Sequence, residues 1–176
     1  KKEIEATVGR INGKYSTLSW RPIIYQYKSL TFPELVALYD LSDVGLITPL
    51  RDGMNLVSKE FIACQMENKG VLILSEMTGA ASELNEAVII NPADREEMAD
   101  AIAQSLGMLP AEIELRLQKM QKRIKSYNVF TWANDFIHQV HHVKQEQEIM
   151  SVKYVNEKIT MLIRDQYKQA RKRIVF

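Results

Sequence analysis

The chain has 176 residues, enough for a compact domain with a hydrophobic core. With 46% hydrophobic and 26% charged residues, its composition is ordinary for a soluble globular protein. The net charge of +1 argues neither for nor against a nucleic-acid partner, and we expect neither a nucleic-acid nor a membrane partner. The single cysteine, Cys64, excludes an internal disulfide and agrees with the reducing environment of the cytoplasm, where we expect the protein to act.

The first elements alternate between strand and helix. Residues 22–27 are β-branched and aromatic and predict a strand. Thr31, with Glu34 three residues later, predicts the N-cap of a helix. Residues 44–48 predict a buried strand, and after a short loop Asn55 opens a further helix.

Two more apolar runs, residues 71–74 and 88–90, predict buried strands. The first is followed by the segment Thr78-Gly79-Ala80-Ala81 and then a short helix, and a helix capped by Asp94 follows the second. This alternation predicts an α/β fold, with a parallel sheet covered by helices on both faces. Because the predicted sheet is small, we expect it to be part of a larger doubly wound, Rossmann-like domain.

Beyond Pro110 the pattern becomes helical. Residues 112–127 predict a charged amphipathic helix, and Thr131 predicts the N-cap of the next one. A basic helix is predicted at about residues 152–171. Its charge fits either an anionic partner or a solvated linker between domains, and we favour the linker.

Residues 51–60, RDGMNLVSKE, are the segment most typical of a binding site. They follow a predicted buried strand and open a helix, and ligands of open parallel sheets bind outside the carboxyl ends of the strands. A helix N-terminus offers free N–H groups and partial positive charge, which suit a diphosphate. Gly53 permits close backbone approach, Asp52 is suited to sugar hydroxyls, and Glu60 is suited to ribose hydroxyls. The same pattern also fits an ordinary Asp-Gly turn followed by an N-cap.

Residues 43–60, DVGLITPLRDGMNLVSKE, resemble the donor-site signature of trehalose-6-phosphate synthases, which are retaining glycosyltransferases with two Rossmann-type domains. The resemblance covers about residues 5–137. It continues through GRINGKY at 9–15, WRPI at 20–23, GVLILSEMTGAA at 70–81, VIINPAD at 88–94 and YNVFTWA at 127–133. It implies that the chain is the donor-binding part of such an enzyme.

The resemblance implies a role for each matching position. Asp52 is the implied catalytic residue and holds the transferred glucose together with the backbone of the next three residues. The amides of Leu56 and Val57 are implied to bind the diphosphate, and Glu60 the ribose. The implied UDP-glucose site comprises Leu30 (at the uracil base), Gly53, Met54, Asn55, Leu56, Val57, Ser58, Lys59 and Glu60.

The implied reaction moves glucose from UDP-glucose to glucose 6-phosphate with retention of configuration. It gives trehalose 6-phosphate and UDP without a cofactor or an obligatory metal. In the family pattern, the acceptor domain and the basic residues that grip the phosphates precede residue 1, so we expect the chain alone to be inactive. Two alternatives remain open, a non-catalytic synthase-like regulatory module and another retaining transferase. The latter usually carries Glu where this chain has Asp52.

Both ends suggest a piece of a longer protein, although a processed or tagged terminus is the alternative. The first residues lead into no signal peptide, and no apolar run approaches the roughly 20 residues that span a bilayer. We divide the chain into a donor part, residues 1–145, and a helical linker, residues 146–176. Residues 171–176, with a β-prone end, resemble the lead-in to a haloacid-dehalogenase-type phosphatase domain, which we expect to follow in the parent chain.

Two further features are discounted as sites. His138 and His142 are four residues apart, the spacing of a zinc-binding pair, but no third ligand is evident. Cys64 is expected on the buried face of its helix as an inert thiol.

Overall fold

The computed structural model describes residues 1–67, 69–151 and 156–172. The chain divides into two compact units, Lys1–Gln121 and Lys122–Phe176. The strands are β1 (Val44–Ile47), β2 (Val71–Ser75) and β3 (Val88–Ile90). The helices are α1 (Lys2–Tyr15), α2 (Phe32–Leu41), α3 (Leu56–Cys64), α4 (Arg95–Leu106), α5 (Pro110–Ser126), α6 (Val129–Ser151) and α7 (Glu157–Gln169), with a 3₁₀ helix at Gly79–Ser82.

The three strands form a parallel sheet in the order β1-β2-β3, which confirms the predicted parallel α/β architecture. Val44 pairs with Val71, and Ile73 pairs with Val88. All five residues of the central strand β2 are buried. A strand that is covered on both faces has no position for an exposed polar side chain, which accounts for the unbroken apolar sequence VLIL.

Helices cover the sheet on its two sides. Against one face, Ile73 and Ile90 pack with Ala101 of α4. Against the other, α3 lies so close to β1 that a Cβ placed on Gly45 would stand 2.9 Å from the ring of Phe61. Phe61 and its neighbour Ile62 are almost fully buried, so α3 is anchored by its second half while its first turn stays near the carboxyl end of β1.

Buried Gln65, just after α3, joins three segments. Its side chain donates to the carbonyl of Tyr39 and accepts from Gly70 N at 2.8 Å. Its own carbonyl accepts from the side chain of Gln121 at 2.9 Å. Because these partners are spread along the chain, Gln65 stabilises the C-terminal end of α3 against both the preceding helix and the following strand.

The strand predicted at residues 22–27 is wrong. The main chain of Ile23 is bound by the side chain of Asn12, which accepts from Ile23 N at 3.0 Å and donates to Ile23 O at 2.8 Å. The segment is irregular and pairs with no described strand. Its β-branched and aromatic residues favour a strand, but a strand forms only where a neighbouring strand is available for pairing.

The N-caps predicted for α2 and α4 are confirmed, and the one predicted for α6 is wrong. Glu34 Oε2 accepts from both the backbone N–H and the hydroxyl of Thr31 at 2.8 Å, so the predicted N-cap region of α2 is confirmed. Asp94 caps α4 as predicted. The predicted N-cap at Thr131 is wrong, because Asn128 Oδ1 accepts from the amides of Phe130 and Thr131 and the helix begins at Val129.

In the second unit, α7 begins after Asn156, whose side chain accepts from Ile159 N at 2.9 Å. The predicted start of this helix at residue 152 and the β-prone run at residues 173–176 lie outside the described residues. The division into a donor part and a linker at residue 145 stays a prediction. None of the described helices is both long enough and apolar enough to cross a membrane.

Candidate functional site

The loop from Pro49 to Asn55 connects the carboxyl end of β1 with the N-terminus of α3. A second connection, from Ser75 to Gly79, leaves the carboxyl end of the neighbouring strand β2. Because β1 and β2 are parallel, the two connections lie at the same edge of the sheet. This edge is where the sequence predicts the binding site.

Asp52 organises the first loop from within. Its Oδ1 accepts from the amides of Met54 and Asn55, both at 3.1 Å, and its Oδ2 accepts from Asn55 Nδ2 at 2.9 Å. The Met54 amide, followed by the Asn55 side chain, lowers the pKa of the Asp52 carboxyl below its ordinary value. Asp52 is therefore an ionised acceptor that holds a turn of the Asx type.

Asn55 is the N-cap of α3 and adopts a left-handed conformation, with φ of 66°. Its Oδ1 accepts from Ser58 N at 2.9 Å, and the buried Ser58 hydroxyl donates to Asn55 O at 2.8 Å. Asparagine suits this place because it tolerates positive φ and carries a capping oxygen. The capping interpretation of Asn55 is thus confirmed, and it leaves a binding role for the neighbouring backbone open.

The first two amides of α3, those of Leu56 and Val57, have no carbonyl partner within their own helix. Asn55 satisfies the amide of Ser58, whereas neither Leu56 N nor Val57 N has an acceptor within the part of the chain that the structure describes. The two residues are 60% and 45% exposed. Free N–H groups at the positive end of a helix dipole form a site for an anion.

The second connection fixes the first by main-chain hydrogen bonds. Asp52 N donates to Met77 O at 3.1 Å, and Gly79 N donates to Asp52 O at 3.0 Å, so Asp52 and Thr78 form an isolated parallel bridge. The buried Ser75 hydroxyl donates to Pro49 O at 2.8 Å. Sequence reasoning missed these supporting residues. The available signal was a run of small and polar residues directly after a buried strand.

Lys59 and Glu60 lie on different sides of the first turns of α3. Lys59 Nζ donates to Glu83 Oε2 at 2.9 Å, in a pair whose side chains are only 19% and 22% exposed. The carboxylate of Glu60 is exposed and forms no hydrogen bond with any described residue. Burial, and then the charge of Glu60, raise the pKa of Tyr39 on the adjacent helix α2. Glu60 is consequently available to a ligand in a way that Lys59 is not.

The remaining predicted residue, Leu30, precedes the Thr31 N-cap of α2 and is half-buried. Cys64 is half-buried rather than a core residue, and burial followed by the charge of Glu60 raises the pKa of its thiol. On α6, the Nδ1 atom of His142 lies 3.7 Å from Oε1 of Glu146. No group of three or more His, Cys, Asp and Glu side chains within the described ranges is arranged to hold a metal ion.

Comparison with known proteins identifies the family. The profile of glycosyltransferase family 20 matches residues 1–142. The chain belongs to glycosyltransferase family 20. Its sequence is 43% identical over 177 residues to a bifunctional trehalose-6-phosphate synthase/phosphatase of Thermoproteus tenax, covering 99% of this chain and 24% of that protein. It is 46% identical over 138 residues to the 56 kDa subunit of the UDP-forming synthase of Saccharomyces cerevisiae, covering 78% and 28%.

Solved family 20 structures share the fold. An E. coli structure bound with UDP-2-fluoro glucose matches 78% of this chain with a TM-score of 0.74 and 45% identity. A synthase from Burkholderia xenovorans in complex with glucose-6-phosphate matches 79% with a TM-score of 0.74 and 44% identity. Each match uses 31% of the solved chain, so this chain spans about a third of those proteins. The resemblance and the fold class inferred from the sequence are thereby confirmed.

Proposed function

We propose that this chain forms the donor site of a longer UDP-forming trehalose-6-phosphate synthase, which transfers glucose from UDP-glucose to glucose 6-phosphate. The observation that carries the proposal is the pair of amides at Leu56 and Val57, which have no acceptor among the described residues and follow a loop fixed by its own hydrogen bonds. The family supports the choice of substrates, since solved members hold UDP-2-fluoro glucose and glucose-6-phosphate.

The sugar end of the donor is assigned to Asp52 and the backbone of Gly53, Met54 and Asn55. An ionised carboxylate has about four lone-pair positions, and three internal hydrogen bonds occupy part of this capacity. Asp52 is therefore able to accept from a glucosyl hydroxyl while it keeps the loop in place. In this position it is the proposed catalytic residue, acting by orienting the glucose whose bond to phosphate breaks.

The nucleotide end is assigned to α3. The amides of Leu56 and Val57 donate to the diphosphate, and their hydrogen bonds strengthen as the leaving UDP gains charge. Glu60 is four residues further along, roughly 6 Å down the helix axis, and its free carboxylate binds the ribose hydroxyls. Leu30 is assigned to the uracil base.

Ser58 and Lys59 contribute to this proposed site through the protein. The Ser58 hydroxyl donates to Asn55 O, and Lys59 is paired with Glu83, so both hold the helix start in place. Their earlier assignment to direct donor contact remains a prediction, and the contacts in the structure favour support over contact. We assign no cofactor and no metal to the reaction.

The acceptor and the phosphate-gripping basic residues are proposed to lie in the preceding part of the parent protein, so the chain alone is expected not to turn over. A phosphatase domain is proposed to follow it, because the Thermoproteus tenax relative that aligns with 99% of the chain is bifunctional. The parent protein is expected in the cytoplasm, without a nucleic-acid or membrane partner.

An amide NMR titration of the chain with UDP-glucose tests the proposal. We expect saturable shifts concentrated at residues 53–60, and an affinity about tenfold lower for Glu60→Ala, the loss of one hydrogen bond to a charged group. Glu114→Ala, which removes an exposed carboxylate from α5, is the matched control and is expected to bind like the wild-type chain. Absence of shifts in a folded chain would contradict the proposed donor site.

A further inference from the structure

The turn formed by residues 75–79, here called the supporting turn, has no assigned role in the proposed reaction. Several hydrogen bonds nevertheless join it to the proposed sugar-binding loop. Ser75 is fully buried at the end of β2. Its hydroxyl donates to Pro49 O at 2.8 Å and accepts from Met77 N at 3.1 Å. One side chain thus ties the supporting turn to the start of the proposed sugar-binding loop.

The main chain of Asp52 is held on both sides by the supporting turn. Its N–H donates to Met77 O at 3.1 Å, and its carbonyl accepts from Gly79 N at 3.0 Å. These two bonds fix the position of the Asp52 backbone independently of what its carboxylate binds. The position of the sugar end of the proposed site therefore depends on β2 as well as on β1.

Gly79 is required for room rather than for backbone conformation. No described glycine has a positive φ, so an alanine at position 79 would meet no strain of that kind. A Cβ at this position would, however, stand 2.1 Å from Gly53 O and 2.9 Å from Gly53 C. Because the obstacle is main chain, the Gly53 carbonyl and the backbone at position 79 have to separate by about 1 Å to reach even a close contact of 3.0 Å.

We propose that the supporting turn determines how well the sugar end of the donor is bound, and that Gly79 is a positioning residue acting through Gly53. The inference rests on the proposed function, in which Gly53 and its neighbours hold the glucosyl group. The nucleotide end depends less on this turn, since α3 is anchored by Phe61 and Ile62 and its first amides are set by the Asn55 cap. A change at Gly79 therefore weakens recognition of glucose while recognition of UDP is kept.

The test compares UDP-glucose with UDP on Gly79→Ala by NMR titration. We expect the affinity for UDP-glucose to fall about tenfold or more, in line with the large effects of displacements of ~1 Å, while that for UDP changes less than about twofold. Gly107→Ala is the matched control. A Cβ at Gly107 has its nearest neighbour at 3.5 Å, an ordinary contact, so both affinities should stay unchanged.

Equal weakening of both ligands by a folded Gly79→Ala, or no weakening, would overturn the inference. If that variant does not fold, Ser75→Ala replaces it, with Ser42→Ala as control for removing an exposed hydroxyl bound to a helix carbonyl. We expect Ser75→Ala to show the same selective loss, about threefold, from one hydrogen bond. A wild-type chain that binds neither UDP-glucose nor UDP refutes the proposed donor site and this inference with it. Binding of both ligands, with unselective effects of the variants, refutes the inference alone.

Discussion

Replacing Asn55 by alanine removes two structural features at once. The first is the cap of α3, in which Asn55 Oδ1 accepts from Ser58 N at 2.9 Å. The second is the fit of asparagine to a φ of 66°, a conformation that alanine disfavours. The side chain is also almost fully buried and donates to Asp52 Oδ2 at 2.9 Å, so no water replaces it freely.

The magnitude follows from these terms. Loss of an N-cap to alanine costs about 1 kcal/mol, and a left-handed alanine costs about 1 kcal/mol more, so Asn55→Ala is expected to lower the free energy of unfolding by about 2 kcal/mol. The lost hydrogen bond to Asp52 adds to this value. Asn55→Gly keeps the backbone conformation without steric strain and weakens the cap by only a few tenths of a kcal/mol. The alanine variant should therefore be the less stable of the two by about 1–2 kcal/mol.

Urea unfolding followed by far-UV circular dichroism measures the difference, and hydrogen exchange of the β2 amides assigns it to the first unit. Both variants lack the Asn55 side chain, so the hydrogen bonds to Ser58 and Asp52 cancel in their comparison. Equal stability of the alanine and glycine variants would refute the argument from backbone conformation. An alanine variant as stable as the wild-type chain would also refute the argument from the cap.

Two further predictions concern the sheet and the loop. Gly45→Ala is expected to destabilise the chain by about 1–3 kcal/mol in urea unfolding, because its Cβ meets the Phe61 ring at 2.9 Å, whereas Gly13→Ala, with open space around it, should not. The Asp52 carboxyl should titrate below its ordinary pKa of 3.8 in ¹³C NMR, since the Met54 amide and the Asn55 side chain stabilise its charged form. Its contribution to stability is then fully present above that pH and lost as the pH falls through the lowered folded value; a midpoint at or above 3.8 would contradict this.

The elements that could be predicted from the sequence are those whose causes are local. The strands around Val44 and Val71 are short, contiguous apolar runs, and the caps at Asn55 and Asp94 need partners only two or three residues away. Residues 22–27 show the opposite case, because a strand depends on a neighbour that no local pattern supplies. At the start of α6, Asn128 and Thr131 are both good caps, and the sequence offers no local feature that chooses between them.

The candidate site divides in the same way. Residues 52–60 lie in one stretch, so their pattern and their family resemblance were visible together. The contacts of the supporting residues were not visible, because Ser75 meets Pro49 across 26 positions and Gly79 meets Gly53 across a gap of the same length. Only the parallel pairing of β1 with β2 brings these connections together. The pairing of Lys59 with Glu83 is non-local for the same reason.

Hydrogen bonds within the loop between Asp52 and α3 hold it in place, and the first amides of α3 remain accessible to a ligand. The Asp52 carboxylate binds the amides of Met54 and Asn55, and the Asn55 side chain binds the amide of Ser58. The two amides between these, those of Leu56 and Val57, have no acceptor among the described residues and are left as donors to an approaching anion. Because internal bonds already set their direction, a ligand orders few additional groups on binding, and more of the interaction energy appears as affinity. A displacement of the Gly53 carbonyl is expected to weaken ligand binding for the same reason. A loop whose internal hydrogen bonds are already formed has little freedom to adjust to the shift.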